Sequence, residues 1–166
     1  MQKALFISLL FGTMLILGSI WYSFNGQEFK RLPLVLGEVQ LLVSEQSDGF
    51  REGCAVSIYE LSPAVAQKLM SEGLQYLGND NVPRSAERED TTYSAWAKTP
   101  APSHNYAEKA LTCSERLRKH PELQKMTAKI AEALQGEHGF FILTKNGEGM
   151  ILVMPTERLV AFLYYG

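Results

Sequence analysis

The sequence contains no run of basic residues and none of the short motifs that usually identify an active site. The chain of 166 residues has 16 Lys and Arg against 18 Asp and Glu, a formal net charge of −2. Nucleic-acid binding needs a basic face, so this balance argues against it. No Gly-x-Gly-x-x-Gly and no Gly-x-Ser-x-Gly occurs, and these are the usual signatures of dinucleotide binding and of a serine nucleophile. The absences favour a protein that acts by binding over one that acts by catalysis.

Histidine and cysteine, the commonest ligands of zinc, are also scarce. The chain has three His and two Cys, with no His-x-x-x-His pair and no Cys-x-x-Cys, which are common spacings of metal ligands. His104, His120 and His138 fall where helices and strands are predicted to meet, which is typical of solvated or capping histidine. We therefore predict no catalytic residue, no cofactor and no metal site.

One long apolar run is present, Ala4–Phe24, and it contains no charged residue. As a helix it would span about 31 Å, close to the hydrocarbon thickness of a bilayer. Trp21 and Tyr22 fall at its end, where aromatic side chains meet the membrane interface. No small-x-small pair for a signal peptidase follows Gly18 and Ser19. The pattern predicts a transmembrane anchor, with a cleaved signal peptide or a buried core helix as the alternatives.

The predicted anchor divides the chain into a head at residues 1–3, a tether at 25–32 and one domain at 33–166. Lys3 and the α-amino group favour a cytoplasmic N-terminus, although Lys30 and Arg31 soon follow the span. We expect a single-pass protein that contacts the bilayer through residues 4–24. The domain would then lie in the periplasm or outside the cell. No Asn-x-Ser/Thr sequon occurs, which favours a bacterial envelope over a eukaryotic surface.

The two cysteines, Cys54 and Cys113, both belong to the predicted domain. An even number of cysteines outside the cytoplasm favours one disulfide bond. The stripe of apolar residues that carries Cys113 would turn its sulfur toward the core. Two buried free thiols are the alternative, since unpaired cysteine is often a core residue.

The first half of the domain is predicted to contain a hairpin and a helix. Leu34–Ser44 is rich in Val and Leu and is predicted as a strand, with a bulge at Gly37. Cys54–Leu61 is predicted as the strand that pairs with it, with Cys54, Val56 and Ile58 on one face and Tyr59 and Leu61 on the other. Ser62-Pro63 is a typical helix start, and the helix is predicted to reach Leu77 before a stop at Gly78.

The second half is predicted to contain two helices and a three-stranded meander. Asn105-x-x-Glu108 is a capping box for one helix, and Pro121 begins another that ends at Gly136. Gly139–Lys145 and the run after Asn146-Gly147 are predicted to pair through a two-residue type I′ turn, with Lys145 opposite Glu148. Arg158–Tyr165 is predicted as the third strand. The whole is an α+β domain, an antiparallel sheet of about five strands with about three helices.

The long connection between the two halves, residues 79–104, combines arginines and acids with two large aromatic residues. Its predicted partner contacts are Arg84, Arg88, Tyr93 and Trp96, because such residues dominate binding energy at protein interfaces. The alternative is a short edge strand within Thr91–Lys98 that places Trp96 in the core.

The predicted meander is apolar on both faces. One face would carry Phe141, Leu143, Met150, Leu152 and Met154, and the other Phe140, Ile142, Ile151 and Val153. An antiparallel sheet covered on one side should alternate between apolar and polar residues, so the second face needs cover from a partner or from the chain's own helices.

We therefore predict a membrane-tethered interaction or accessory module, such as an envelope-complex subunit or a periplasmic inhibitor or immunity-type protein. It would bind a protein partner or itself, and no nucleic acid. The alternatives are an envelope hydrolase with a cleft under residues 79–104 and a small-ligand sensor domain.

Overall fold

The computed structural model describes residues 29–47, 53–78, 81–84, 92–101, 108–109, 112–113 and 121–165. Within these ranges no helix has the length and apolarity that crossing a membrane requires. The predicted anchor, Ala4–Phe24, lies outside the described residues.

The described part of the chain folds as an α+β domain around one six-stranded antiparallel sheet. The strands are β1 (Val39–Ser47), β2 (Cys54–Leu61), β3 (Ala97–Lys98), β4 (Phe140–Leu143), β5 (Gly149–Met154) and β6 (Leu159–Tyr165). Their spatial order is β1-β2-β6-β5-β4-β3. The predicted hairpin and the predicted meander are therefore both present, and β6 joins them by pairing with β2. The sixth strand is β3, which pairs through only two residues with the outer side of β4.

The first strand starts later than its composition suggests. Leu34–Leu36 form a turn of 3-10 helix after Pro33, whose φ of −61° suits a helix start,. Gly37 ends this turn with a φ of +60°, and its N–H donates to the Leu34 carbonyl at 2.9 Å. A Cβ at Gly37 would come within 3.3 Å of Val65. Gly37 therefore caps a helical turn, and the bulge predicted there lies instead at Leu42, between the pairs that Leu41 and Val43 make with β2.

The predicted helix that follows β2 is interrupted. Its start is confirmed, because the Val65 N–H donates to the Ser62 side chain at 3.3 Å and Pro63 begins the helix. Helix α1 (Pro63–Glu72) ends at Gly73, whose φ of +59° and ψ of −128° are incompatible with a helix. A single turn, α2 (Leu74–Leu77), follows and ends at Gly78. The prediction placed Gly73 inside one continuous helix, and its freedom to adopt positive φ decides otherwise.

The later helical region agrees with its prediction where it is described. Helix α3 spans Pro121–Gln135 and ends before Gly136. Residues 108–109 and 112–113 are helical too. The remainder of the helix predicted from Asn105 to Pro121 lies outside the described residues.

Side chains alternate between the two faces of the sheet, as predicted for β2 and the meander. One face carries the first core cluster: Cys54, Val56, Ile58, Cys113, Ile130, Leu134, Phe141, Met150, Leu152, Met154, Leu159, Ala161 and Leu163. The opposite face carries the second core cluster: Leu32, Leu36, Tyr59, Leu61, Ala66, Leu69, Leu77, Tyr93, Trp96, Phe140, Ile142, Ile151, Val153, Val160 and Phe162.

The helices divide between these two faces, so the chain itself covers both. Ile130 and Leu134 of α3 pack in the first core cluster. In the second cluster, α1 contributes Ala66 and Leu69 and α2 contributes Leu77. Leu32, which lies in the predicted tether, is fully buried there as well. The alternative prediction, that the chain's own helices cover the second face, is therefore confirmed. The apolar second face does not by itself imply a binding protein.

The Asn-Gly turn joins β4 and β5 in the predicted register but with a different loop. Thr144 pairs with Gly149, which leaves the four residues Lys145–Glu148 in the loop, and the Gly147 N–H donates to the Thr144 carbonyl at 2.9 Å. Gly147 has a φ of +74°, but Asn146 does not adopt the positive φ that type I′ requires,. The Lys145 N–H donates instead to the Thr92 carbonyl at 2.9 Å. Glu148 accepts a hydrogen bond from Asn146 at 2.6 Å, so the predicted strand pair of Lys145 and Glu148 does not form.

The predicted disulfide between Cys54 and Cys113 is confirmed, with Cα atoms 5.5 Å apart. Both residues are buried in the first core cluster. The bond fastens the first residue of β2 to the helical segment at 112–113. It therefore joins the sheet to a segment that lies 59 residues away in the sequence.

Candidate functional site

The predicted recognition segment, residues 79–104, lies against the sheet wherever it is described. Pro83 forms an isolated bridge with Pro33, and Tyr93 forms one with Thr144. Ala97 and Lys98 form β3 at the sheet edge. Arg88 lies outside the described residues, whereas Arg84, Tyr93 and Trp96 lie within them. The alternative prediction of a short edge strand therefore fits this segment better than an exposed loop does.

Tyr93 is buried, and its hydroxyl donates a hydrogen bond to the Arg31 carbonyl. Burial raises the pKa of Tyr93 above its ordinary value of 10.0, and the positive charge of Arg31 opposes this only in part. The phenol is thus held neutral as a donor to the backbone. This contact links the recognition segment to the first described turn of the domain.

Trp96 is only 7% exposed and packs in the second core cluster. Two bonds with β4 hold the neighbouring backbone: the Ser94 N–H donates to the Leu143 carbonyl at 2.9 Å, and the Leu143 N–H donates to the Ser94 hydroxyl at 3.0 Å. Asn81 adds a side-chain bond to the Ser94 carbonyl at 3.0 Å. Because both rings are buried, Tyr93 and Trp96 present little surface to a partner. This burial supports the alternative prediction for Trp96, a core residue beside an edge strand, whereas partner contacts through Arg84, Arg88, Tyr93 and Trp96 stay a prediction.

Arg84 connects two separate parts of the chain. Its backbone N–H donates to the Leu32 carbonyl at 3.1 Å, and its guanidinium group donates to the Gly37 carbonyl. The same guanidinium lies 4.6 Å from the centre of the Phe29 ring, within the range of a cation–π contact,. Partial burial lowers the pKa of Arg84, and the carboxylate of Glu38 counteracts that shift. Arg84 therefore fixes residues 29–38 against residues 81–84.

Three exposed apolar side chains surround this connection, and we name Phe29, Leu34 and Val82 the Phe29 patch. Leu34 and Val82 are each 53% exposed and lie side by side, since the Leu34 N–H donates to the Val82 carbonyl at 3.3 Å. Phe29 is 37% exposed and adjoins them through Arg84. Sequence reasoning missed this patch, because Leu34 continued a run typical of a buried strand. Val82 lies between Asn81 and Pro83, where no hydrophobic period exists to mark it.

A second surface is formed by β1, which is the outermost strand on its side among the strands that the structure describes. It has nine residues, whereas β3 at the opposite edge has two. The bulge lies at Leu42, and this side chain is 39% exposed. Short edge strands protect a sheet from pairing with other chains. β3 has that protection, but β1 is long enough to accept another strand.

A shallow cleft of about 190 Å³ lies between α3 and the turn that joins β5 to β6. Its polar lining comprises Lys129, Glu132, His138, Thr156 and Glu157, and none of its lining residues belongs to 79–104. Lys129 and Glu157 form an ion pair in which both side chains are substantially exposed. Pockets for drug-sized ligands usually measure about 300–1,000 Å³. This cleft therefore supports a ligand site less well than the two surfaces support an interface.

No group of three or more His, Cys, Asp or Glu side chains that could hold a metal ion occurs among the residues the structure describes. In comparisons with known proteins, no family model, no curated protein and no solved structure matches this chain.

Proposed function

We propose that the protein is a membrane-tethered, extracytoplasmic module that binds another protein through the edge of β1. The observation that carries this proposal is the contrast between the two edges of the sheet. One edge ends in the two-residue β3, and the other is the nine-residue β1. An extended segment of a partner can add to such an edge, where main-chain hydrogen bonds provide affinity and side chains provide specificity.

The shape of β1 suits this role. Nine residues in extended conformation are about 30 Å long, which is enough for a full partner strand. β1 is anchored from behind through eight residue pairs with β2. The hydroxyls of Ser44 and Ser57 add a side-chain bond at 2.9 Å. The strand is thus held in place before any partner arrives, and Leu42 supplies an apolar contact at its centre.

The placement rests on two other features. Ala4–Phe24 is uncharged and long enough for a transmembrane anchor,. The Cys54–Cys113 disulfide favours an oxidising compartment, since such bonds are rare where thiols are kept reduced,. Together they support a domain held outside the cytoplasm, where a bacterial envelope-complex subunit or an inhibitor would act.

Site-specific photocrosslinking of the full-length protein, in the cells that express it, tests whether the edge of β1 is the binding surface. A photoreactive residue at Gln40 or Leu42 should give one discrete adduct. The matched control is Met70 on α1, which is 60% exposed and far more accessible than a core residue. An adduct of twice the 18.6 kDa chain mass would indicate self-association, and any other discrete mass would indicate a different protein partner.

A second test of binding through β1 places a charge on this edge strand. Leu42→Lys should remove most of the Gln40 adduct, because lysine on an edge strand opposes strand addition. The variant should fold normally, since Leu42 is already partly in solvent. Equal labelling at Gln40, Leu42 and Met70, or an adduct that Leu42→Lys leaves unchanged, would contradict binding through β1. Recovery of a soluble chain that starts after Phe24 would contradict the membrane tether.

A further inference from the structure

The Phe29 patch includes the first described residue of the domain, which follows the predicted anchor by five residues in the sequence. We propose that Phe29, Leu34 and Val82 rest in the interfacial layer of the same bilayer that holds residues 4–24, so that the domain docks on the membrane surface in one orientation. This inference rests on the proposed membrane tether. It goes further in naming the face of the domain that meets the lipid.

The length of chain before Phe29 restricts where this face can be. Only residues 25–28 separate the end of the apolar run from Phe29. Even a fully extended chain covers no more than about 18 Å between Phe24 and Phe29. With an anchor that ends at the interface, the patch therefore lies within reach of the lipid headgroups. Among the exposed apolar side chains of the described residues, Phe29 and Leu34 are the two nearest to the anchor in sequence.

The chemistry of the patch matches an interface between water and lipid. Phe29, Leu34 and Val82 provide apolar side chains that can enter the boundary between headgroups and acyl chains. Arg84 lies against the Phe29 ring at 4.6 Å, and Lys30 is exposed next to Phe29. Cationic groups at the rim of an apolar surface attract anionic headgroups. A long side chain such as that of Arg84 can also keep its charge near water while its stem covers apolar surface.

The patch is preformed in the described structure. The bridge between Pro33 and Pro83 sets Leu34 beside Val82. Arg84 then holds both ends of this arrangement through its bonds to Leu32 and Gly37. A surface fixed in this way can set the orientation of the domain. Met70 differs, because it is an exposed apolar side chain on α1 that none of these contacts connects to the patch.

Depth-dependent fluorescence of the full-length protein tests this orientation. The protein is reconstituted in vesicles of phosphatidylcholine and phosphatidylglycerol with a single added cysteine, at Leu34, Val82 or Met70, that carries an environment-sensitive fluorophore. The native cysteines do not react, because they form the disulfide. We expect a blue-shifted emission at Leu34 and Val82 that is quenched by a spin label attached to the lipid near the headgroup. Met70→Cys is the matched control and should keep the emission of a water-exposed probe.

Three outcomes would overturn the inference, and they distinguish failure of the docking face from failure of the membrane tether. In the first outcome, the protein floats with the vesicles, but the probes at Leu34 and Val82 emit like the water-exposed probe at Met70. This result would leave the membrane tether intact and would exclude docking through the Phe29 patch. Blue-shifted probes that the lipid-borne label does not quench would show that protein covers the patch, either a second copy or the N-terminal segment. Protein that does not float with the vesicles would contradict the membrane tether and the docking together.

Discussion

Replacing Trp96 by alanine separates the two roles that the sequence allowed for this residue. The ring is 7% exposed and packs in the second core cluster beside residues of the sheet and of α1. Truncation would leave a cavity in the layer between them, because the flanking backbone is fixed. Ser94 bonds to β4 on one side, and β3 pairs with β4 on the other. The surroundings therefore have little freedom to close around the missing ring.

The expected cost follows from this burial. A buried tryptophan replaced by alanine destabilises a domain by about 3–5 kcal/mol. Domains of ordinary stability have about 5–15 kcal/mol in total, so the change would remove a large share of it. For a domain of this size, the melting temperature should fall by roughly 10 °C or more. If Trp96 were an interface residue, the same change would leave the melting temperature nearly unaltered and weaken association by about 2 kcal/mol.

Thermal and chemical unfolding of the full-length protein in a mild detergent, followed by circular dichroism, measures this difference. Trp96→Phe retains an aromatic ring and should cost less, about 1–2 kcal/mol. Met70→Ala removes an exposed side chain and should change the free energy of unfolding by no more than about 0.5 kcal/mol. A Trp96→Ala protein whose free energy of unfolding matches that of Met70→Ala would refute the assignment of Trp96 to the core.

Two further predictions concern the disulfide and the buried phenol. Replacing Cys54 and Cys113 together by alanine should lower the free energy of unfolding by about 4 kcal/mol, because the bond closes a loop across a sequence separation of 59,; a loss below about 1 kcal/mol in non-reducing denaturant titrations would contradict this. Because the pKa of Tyr93 is raised in the folded protein, its contribution to the free energy of unfolding is complete below pH 10, the ordinary pKa of tyrosine. The contribution is lost at higher pH, because the phenol then ionises in the unfolded chain before it ionises in the folded one. Stability should therefore fall above pH 10 by up to about 1.4 kcal/mol per pH unit more in the wild type than in Tyr93→Phe, and parallel pH profiles for the two proteins would contradict the burial of a neutral phenol.

The strands were predictable wherever the pattern of side chains was purely local. Alternation along Cys54–Leu61 and along the meander assigned residues correctly to the two faces. Successive side chains of a strand point to opposite faces whatever their polarity, so the two-residue period alone divides them between the faces. Local pattern could not show that β6 pairs with β2, since these strands lie about a hundred residues apart and nothing in either strand selects the other. It also placed the first strand too early, because the apolar residues Leu34–Leu36 form a 3-10 turn, in which Leu36 is buried in the second core cluster.

The helices show a different limit. The start at Ser62-Pro63 follows from capping chemistry that acts within three residues,. The end at Gly73 was missed because the apolar spacing continues to Leu77, and spacing alone does not report the sign of φ. In the Asn-Gly turn, Thr92 takes the N–H of Lys145. A contact from a distant segment therefore overrides a strong local preference for a two-residue loop.

The candidate site was the least predictable part, because residue type does not report burial. Aromatic residues and arginines in a long connection suit an interface, but they equally suit a segment that must hold itself against a sheet. Tyr93 and Trp96 are buried and belong to the segment that holds itself against the sheet. The exposed apolar residues Leu34 and Val82 come from two stretches far apart in the sequence, which the bridge between Pro33 and Pro83 and the bonds of Arg84 bring together. No single window of sequence contains the patch that they form.

The two proposed surfaces are joined by one short piece of chain, and this constrains how a partner can approach. Leu34 lies in the Phe29 patch, and β1 begins at Val39, two residues after Gly37, whose carbonyl accepts a bond from Arg84. A domain docked through the patch therefore has the first residues of β1 close to the bilayer, and the strand extends from there by about 30 Å. A partner strand that adds to this edge would lie with one end near the membrane surface. A partner that is itself anchored in the membrane meets this geometry at a high effective concentration, because both chains are confined to the same layer.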